Sequence, residues 1–191
     1  MCIRDSDYSN DTATASVKGP LSVAKRYVAA TGNASFGYFG GGHPGPVSTV
    51  DRIDYSNDTA TPAAKGPLSQ AGYNIGATGN SSFGYFGGGY DGSNNVSTVD
   101  RVDYSNDTAT ASSKGPLSAV RYSLGATSAR ANGFTVVGPA VVSNAAAVAG
   151  SFNPTNFGYF GGGYTTSDAS SVDRIDSVSY THLTLPTNRE V

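Results

Sequence analysis

The chain has 191 residues, of which 14% are charged, with a formal net charge of -2, one cysteine and no tryptophan. A balance this close to neutral is no footprint for nucleic acid or an anionic membrane, and no apolar run approaches the roughly 20 residues that a membrane span needs. Glycine, serine, threonine, asparagine and alanine dominate, and tyrosine and phenylalanine supply most of the large apolar surface. Such a chain buries a core only by stacking many similar thin units.

Both ends are set apart before any reasoning about fold. Met1-Cys2-Ile3-Arg4-Asp5-Ser6 resembles a translation of the transposase mosaic-end adapter of sequencing libraries, and Val178-Ser179-Tyr180-Thr181-His182-Leu183-Thr184-Leu185-Pro186-Thr187 resembles its reverse complement. Residues 1–6 and 178–191 are therefore expected to be adapter-derived and outside the structural argument. What remains, 7–177, holds no cysteine, no methionine and one histidine, His43, at an unchanged net charge. Disulfides, thiolate nucleophiles and cysteine zinc sites drop out.

Taken in order, the chain is periodic. Tyr8-Ser9-Asn10-Asp11-Thr12-Ala13-Thr14 returns at Tyr55 and Tyr104, offsets of 47 and 49 residues, and Phe36-Gly37-Tyr38-Phe39-Gly40-Gly41-Gly42 returns letter for letter from Phe83 and from Phe157. Residues 7–20 read as the end of one unit, 21–66 and 67–115 as whole units, and 116–177 as a partial one. Within a unit four strands are predicted, at 27–31 (a), 36–40 (b), 47–55 (c) and 59–64 (d). Turn residues separate them: Thr31-Gly32-Asn33, then Gly42-His43-Pro44-Gly45-Pro46, then Ser56-Asn57-Asp58, with Lys65-Gly66-Pro67 leading to the next unit. No helix is predicted. Strand c alternates, with Asp51, Ile53 and Tyr55 on one side and Val50, Arg52 and Asp54 on the other, as a half-buried strand does. The last unit carries 25 extra residues near 128–156, which read as an added hairpin, an unstructured excursion or an assembly junction.

Tyr85-Phe86-Gly87-Gly88-Gly89-Tyr90-Asp91-Gly92 followed by Ser97-Thr98-Val99-Asp100-Arg101-Val102-Asp103 resembles the kelch repeat, in which an apolar strand ends in a double glycine and the next strand carries an acidic residue, Arg, an apolar residue and Asp. Lys114-Gly115-Pro116-Leu117 and Arg121-Tyr122 stand about where that family has its Met-Pro and following Arg. The resemblance implies an all-β fold, a β-propeller of four-stranded antiparallel blades. It departs from the family on strand d, where Thr59-Ala60-Thr61 replaces a tryptophan that packs between blades, which implies lighter inter-blade packing. Two whole blades and parts of two more are too few for a closed ring, so the propeller is expected to be incomplete, with further blades in the same longer chain.

Several constellations invite chemistry. The triple glycines, with Gly40 and Gly41, Gly87 and Gly88, and Gly161 and Gly162 in matching places, lack the Lys-Ser/Thr and the helix of a phosphate loop and read as structural. Asp51-Arg52-Ile53-Asp54, repeated around Arg101 and Arg174, offers paired carboxylates, but glycoside hydrolysis needs two set across a pocket. Each pair here comes from one strand, which favours repeated ion pairing. Asp54, Asn57 and Asp58, with Asp103, Asn106 and Asp107, have calcium-like spacing, and the turn reading is preferred. Six asparagines, Asn10, Asn33, Asn57, Asn80, Asn95 and Asn106, begin glycosylation sequons within turn-rich segments.

The connection between strands b and c is the one that varies between copies. It supplies the candidate binding residues His43, Tyr90, Asp91, Asn94, Tyr164 and Asp168, either as a recognition surface or as surface loops free to drift. The expected function is a non-catalytic module for protein or glycan binding, with no catalytic residue, metal site, cofactor or nucleic-acid partner. An extracellular, cell-surface or virion location fits such an array. The alternatives are an oxidase or sugar-processing enzyme of the kelch-like type, against which the lack of cysteine and the single histidine count, and a purely structural spacer.

Overall fold

The computed structural model describes residues 2–5, 14–128 and 157–176. The chain is all-β. Cys2–Asp5 (β1) and Ser16–Pro20 (β2) form a two-stranded sheet. The first four-stranded sheet is Ala29–Gly32 (β3), Phe36–Gly40 (β4), Val50–Asp54 (β5) and Ala63–Lys65 (β6). The second is Gly76–Gly79 (β7), Phe83–Gly87 (β8), Val99–Asp103 (β9) and Ser112–Lys114 (β10). Gly125–Ser128 (β11), Phe157–Gly161 (β12) and Val172–Asp176 (β13) make a three-stranded sheet. Every pairing is antiparallel between sequence neighbours.

Register repeats as closely as sequence does. Thr31 faces Tyr38, Thr78 faces Tyr85 and Thr127 faces Tyr159. The third hairpin thus closes in the same register although 28 residues separate its strands; the predicted insertion itself lies outside the described residues. Residues 178–191 lie outside them too. Cys2–Asp5, set apart on sequence grounds, pair with β2 so that Arg4 faces Val17 and Asp5 faces Ser16. Asp51 and Arg52 meet Ala64 and Ala63 in the same places of the next unit. Ladder bonds are made by backbone groups, so this position accepts a segment whose side chains differ from Val-Asp-Arg-Ile-Asp.

Three strand boundaries differ from expectation. Strand a starts at Ala29 because Tyr27 adopts a φ of 59°, outside extended conformation. Strand c starts at Val50, since the Val47 and Ser48 carbonyls are turned toward the following repeat, where they accept from the Gly72 and Leu68 amides at 3.1 and 2.8 Å. Strand d is Ala63–Lys65, not 59–64: Asp54 caps a one-turn 3-10 helix over Tyr55–Asn57, Ala60 N–H closes the turn onto the Asn57 carbonyl, and Pro62 precedes the strand. The same 3-10 turn recurs at Tyr104–Asn106, so the expectation of no helix yields to these two single turns.

Nor is strand c half-buried. Val50 and Asp51 are both fully buried and Ile53 nearly so, because each four-stranded sheet is covered on both faces. The cover is the next sheet. Phe86 of β8 lies against Gly40 of β4, where a Cβ would stand 2.7 Å from its ring, and Phe160 of β12 lies against Gly76 and Gly87. Strands β3, β7 and β11 run beside one another. Leu21, Leu68 and Leu117, one per Gly-Pro-Leu, are all buried.

Where the sequence lacks tryptophan, the sheets meet backbone to backbone. Gly66 N–H donates to the Asp107 carbonyl at 2.8 Å and Gly19 N–H to that of Asp58 at 2.8 Å. A Cβ on Gly66 would fall inside the radius of the Ala109 carbonyl oxygen, and one on Gly19 inside that of Ala60. The small Thr-Ala-Thr segment therefore permits an approach that a large side chain on the glycine side would block.

One interface residue collects several partners. The Asp107 carboxylate, in the turn after β9, accepts from Tyr38 Oη at 3.0 Å and Arg52 Nη1 at 2.8 Å, and pairs with Lys65 Nζ at 3.4 Å. All three partners belong to the preceding sheet. Asp58 meets Lys18 of β2 at 3.2 Å in the equivalent place. Arg52, Arg101 and Arg174 also lie over Phe36, Phe83 and Phe157 at 4.3 to 4.4 Å.

Candidate functional site

The site grows from the triple glycines. In each copy the second and third glycines take positive φ, 69° and 125° at Gly41 and Gly42, 66° and 109° at Gly88 and Gly89, 67° and 94° at Gly162 and Gly163. That turn carries the chain off strand b and onto the segment preceding strand a. His43 bridges Arg26, Tyr90 bridges Tyr73, and Tyr164 bridges Tyr122, each through two backbone bonds of 2.9 to 3.1 Å.

The next residue after the bridge is left-handed without being glycine: Tyr27, Asn74 and Ser123 have φ of 59°, 54° and 56°. Such a conformation costs roughly 1–2 kcal/mol per residue. Backbone bonds between repeats help to offset it, since Asn74 N–H donates to the Tyr27 carbonyl at 3.2 Å and Ser123 N–H to that of Asn74 at 2.9 Å. The spacing of the bridged pairs is thereby fixed from sheet to sheet.

Fixed spacing lays their rings in a row. Tyr27 and His43 lie 6.3 Å apart by centroid, His43 and Tyr73 5.3 Å, Tyr73 and Tyr90 5.5 Å, Tyr90 and Tyr122 6.3 Å, and Tyr122 and Tyr164 5.6 Å. Most are edge-on or tilted, the arrangement that aromatic quadrupoles favour. Tyr73, Tyr90, Tyr122, Tyr164 and Asn95 line an open groove of about 420 Å³. Asn95 fixes one wall, its Nδ2 donating to the Thr165 carbonyl of the following loop at 3.0 Å. The ends of the row are the most open, with Tyr27 52% and Tyr164 40% exposed.

Of the residues singled out in sequence, His43, Tyr90 and Tyr164 come together in this row. Asp91 and Asn94 serve their own loop: Asp91 Oδ1 accepts from the Asn94 amide at 2.7 Å and the Ser93 amide at 2.8 Å, and these bonds hold its carboxyl below the usual range. Asp168 bridges back to Tyr164 and is exposed at the rim. Sequence reasoning missed Tyr27, Tyr73, Tyr122 and Asn95. Tyr73 and Tyr122 were within reach, since each stands six residues after the proline of its Gly-Pro-Leu, where the first repeat has Arg26.

The paired carboxylates are spoken for elsewhere. Asp51 pairs with Lys25 at 3.2 Å and accepts from Ser22 Oγ at 2.5 Å, Asp100 accepts from the Ser69 amide and hydroxyl at 2.7 and 2.6 Å, and Asp173 meets the fully buried Arg121. Their partners in the motif, Asp54 and Asp103, cap the 3-10 turns, and the serine hydroxyl at each cap lowers the carboxyl pKa. Asn33 and Asn80, two of the sequon asparagines, accept from amides two and three residues on. Among the described residues no three His, Cys, Asp or Glu gather as a metal site. No family model matches the chain. No curated protein matches it either, so the geometry alone carries the functional argument.

Proposed function

We propose that the chain consists of kelch-like β-propeller blades and binds a protein or glycan partner through the tyrosine row, without catalysis of its own. Sequential four-stranded meanders with neighbouring a strands support the propeller reading, as does the repeated glycine turn. The tyrosine row carries the binding reading. Tyrosine offers a rigid apolar face and a hydroxyl at little entropic cost, which suits both sugar rings and peptide surfaces. A groove of about 420 Å³ lined by four such rings is within the range of small-ligand sites.

Retention of the chain on glycan and protein arrays tests it, comparing wild type with Tyr90→Ala and Tyr164→Ala. Loss of retention at both, with far-UV spectra unchanged, supports binding through the row; equal retention of all three, or none by the wild type, leaves the structural spacer as the reading. Tight binding in a copper titration would instead reopen the oxidase alternative.

A further inference from the structure

The repeat changes character at one buried position. Lys25 in the first unit and Arg121 in the third each follow the proline of their Gly-Pro-Leu by the same interval, and the second unit has Gly72 there. Both cations are buried, and each meets the first aspartate of its Asp-Arg motif: Lys25 Nζ lies 3.2 Å from Asp51, and Arg121 pairs with Asp173. The matching aspartate of the second unit, Asp100, is as deeply placed, only 3% exposed. Ser69 donates its amide and hydroxyl to that carboxylate at 2.7 and 2.6 Å. Those donors are neutral and leave about half of the carboxylate's lone-pair sites to another partner. A buried carboxylate favours an opposite charge beside it.

Beside Asp100 and Gly72 lies a cavity of about 20 Å³, room for one species the size of a water molecule. Gln70, Gly88 and Thr98 complete its polar wall, and every residue that lines it is among those described. The same wall holds a guanidinium one repeat on. There Arg121 Nη1 donates to the Ser171 hydroxyl at 2.7 Å and its carbonyl at 3.1 Å, and Nη2 donates to Ser118 Oγ at 3.3 Å and to Asp173. The second unit has Thr98, Ser69 and Asp100 in those three places. Thr98 gives its proton to Gln70 Oε1 at 2.9 Å, so the oxygen keeps its lone pairs for a cation. Gln70 is held in turn, its Nε2 donating to Asp91 Oδ2 at 3.3 Å.

We infer that this cavity takes up a monovalent cation of about water's size, ammonium or potassium, which rests against Asp100 as the Lys25 ammonium rests against Asp51. The carboxylate supplies the charge, and the neutral oxygens around it supply the remaining contacts. Calcium takes about six to eight oxygen ligands, more than a cavity for one water-sized species beside a single carboxylate offers. The inference is independent of the tyrosine row, since it rests on the difference between repeats at one position.

Urea denaturation of the full chain tests it. Potassium or ammonium chloride replaces tetramethylammonium chloride stepwise at constant ionic strength, which holds screening fixed. Tetramethylammonium is too large for the cavity. The wild-type midpoint is expected to rise, with the folded-to-unfolded ratio gaining up to about tenfold for each tenfold increase of ion above its dissociation constant. The ion that gives the larger gain is the one the cavity favours. Gly72→Lys supplies an ammonium from the chain itself, and a Cβ there stands 3.4 Å from Ile75 and the Tyr90 carbonyl, an ordinary contact. This variant should lose the dependence on ion and keep the wild-type far-UV spectrum. Asp100→Asn removes the charge without adding bulk and should lose the dependence as well, so the outcome does not hinge on how the lysine fits. In tetramethylammonium chloride alone that change should be mild, because Asn keeps an acceptor for Ser69. Wild-type midpoints indifferent to the three salts, or a response of full size in either variant, overturn the inference.

Discussion

Tyr38 of the first four-stranded sheet lies flat on Tyr104 of the second, their planes 13° apart, and donates its hydroxyl to Asp107 three residues beyond its stacking partner. One side chain thus reads both the shape and the charge of the turn it covers. Tyr38 is fully buried in the stack and Tyr104 partly so, and the hydrogen bond fixes which residue of the turn faces the cations. Tyr38→Phe keeps the stack and removes only the donor, so it should cost about 1 kcal/mol. Asp107→Ala strips the partner from Tyr38, Arg52 and Lys65 together and should cost about 3 kcal/mol. Urea midpoints at constant m-value measure both, and equal costs would mean the cations contribute nothing to the interface.

Gly66 and Gly115 occupy the same column of the repeat, and among the described residues only Gly66 has a neighbour where its Cβ would stand. Gly66→Ala forces the Ala109 carbonyl away and strains a backbone bond to Asp107, and should cost roughly 2–3 kcal/mol, as overpacking does. Gly115→Ala should be neutral within about 0.5 kcal/mol. Thermal melts of the two variants side by side decide it; a shared cost would mean the glycine is required by its own backbone rather than by its neighbour.

That column shows what the sequence could and could not disclose. The strand order was legible, because Phe-Gly-Tyr-Phe-Gly is an aromatic run and Val-Asp-Arg-Ile-Asp an alternating one, each bounded by turn residues. The glycine turn at His43, Tyr90 and Tyr164 was legible for the same reason, and with it half of the tyrosine row. Tyr73 and Tyr122 left only a positional trace, six residues after the proline of each Gly-Pro-Leu, since they lie outside any strand and reach the row through bridges to residues 17 and 42 positions away. The burial of Asp51 was also hidden. Alternation along Val50–Asp54 looks the same whether one face or both are covered, and only the stacking of neighbouring sheets decides it.

The first aspartates of the three Asp-Arg motifs should respond unequally to neutralisation. Asp51 and Asp173 face the buried cations Lys25 and Arg121, whereas Gly72 stands at the corresponding position opposite Asp100 and the carboxylate is held by Ser69. Asp51→Asn leaves a buried ammonium without its counter-charge and should cost about 3–5 kcal/mol. Asp100→Asn keeps an acceptor for Ser69 and should cost about 1 kcal/mol. Chemical denaturation of the pair tests the order, and a larger loss at Asp100 would contradict the assignment of partners.

Alkaline titration should expose the buried phenols. Burial, the largest cause, raises the Tyr104 pKa to about 12, and burial together with the hydrogen bond to Asp107 raises that of Tyr38 further. The unfolded chain releases these protons near pH 10. The fold therefore favours the neutral phenol: its contribution is complete below about pH 10 and is lost as pH rises through about 12, where the unfolded state gains by ionising first. Tyrosinate absorbance followed with far-UV ellipticity should show Tyr104 titrating late and together with unfolding. Tyr104→Phe removes one such proton and should move the alkaline unfolding midpoint upward. Complete ionisation near pH 10 with ellipticity unchanged would mean that the Tyr38–Tyr104 stack is open to solvent, and the sheet interface built on it would have to be redrawn.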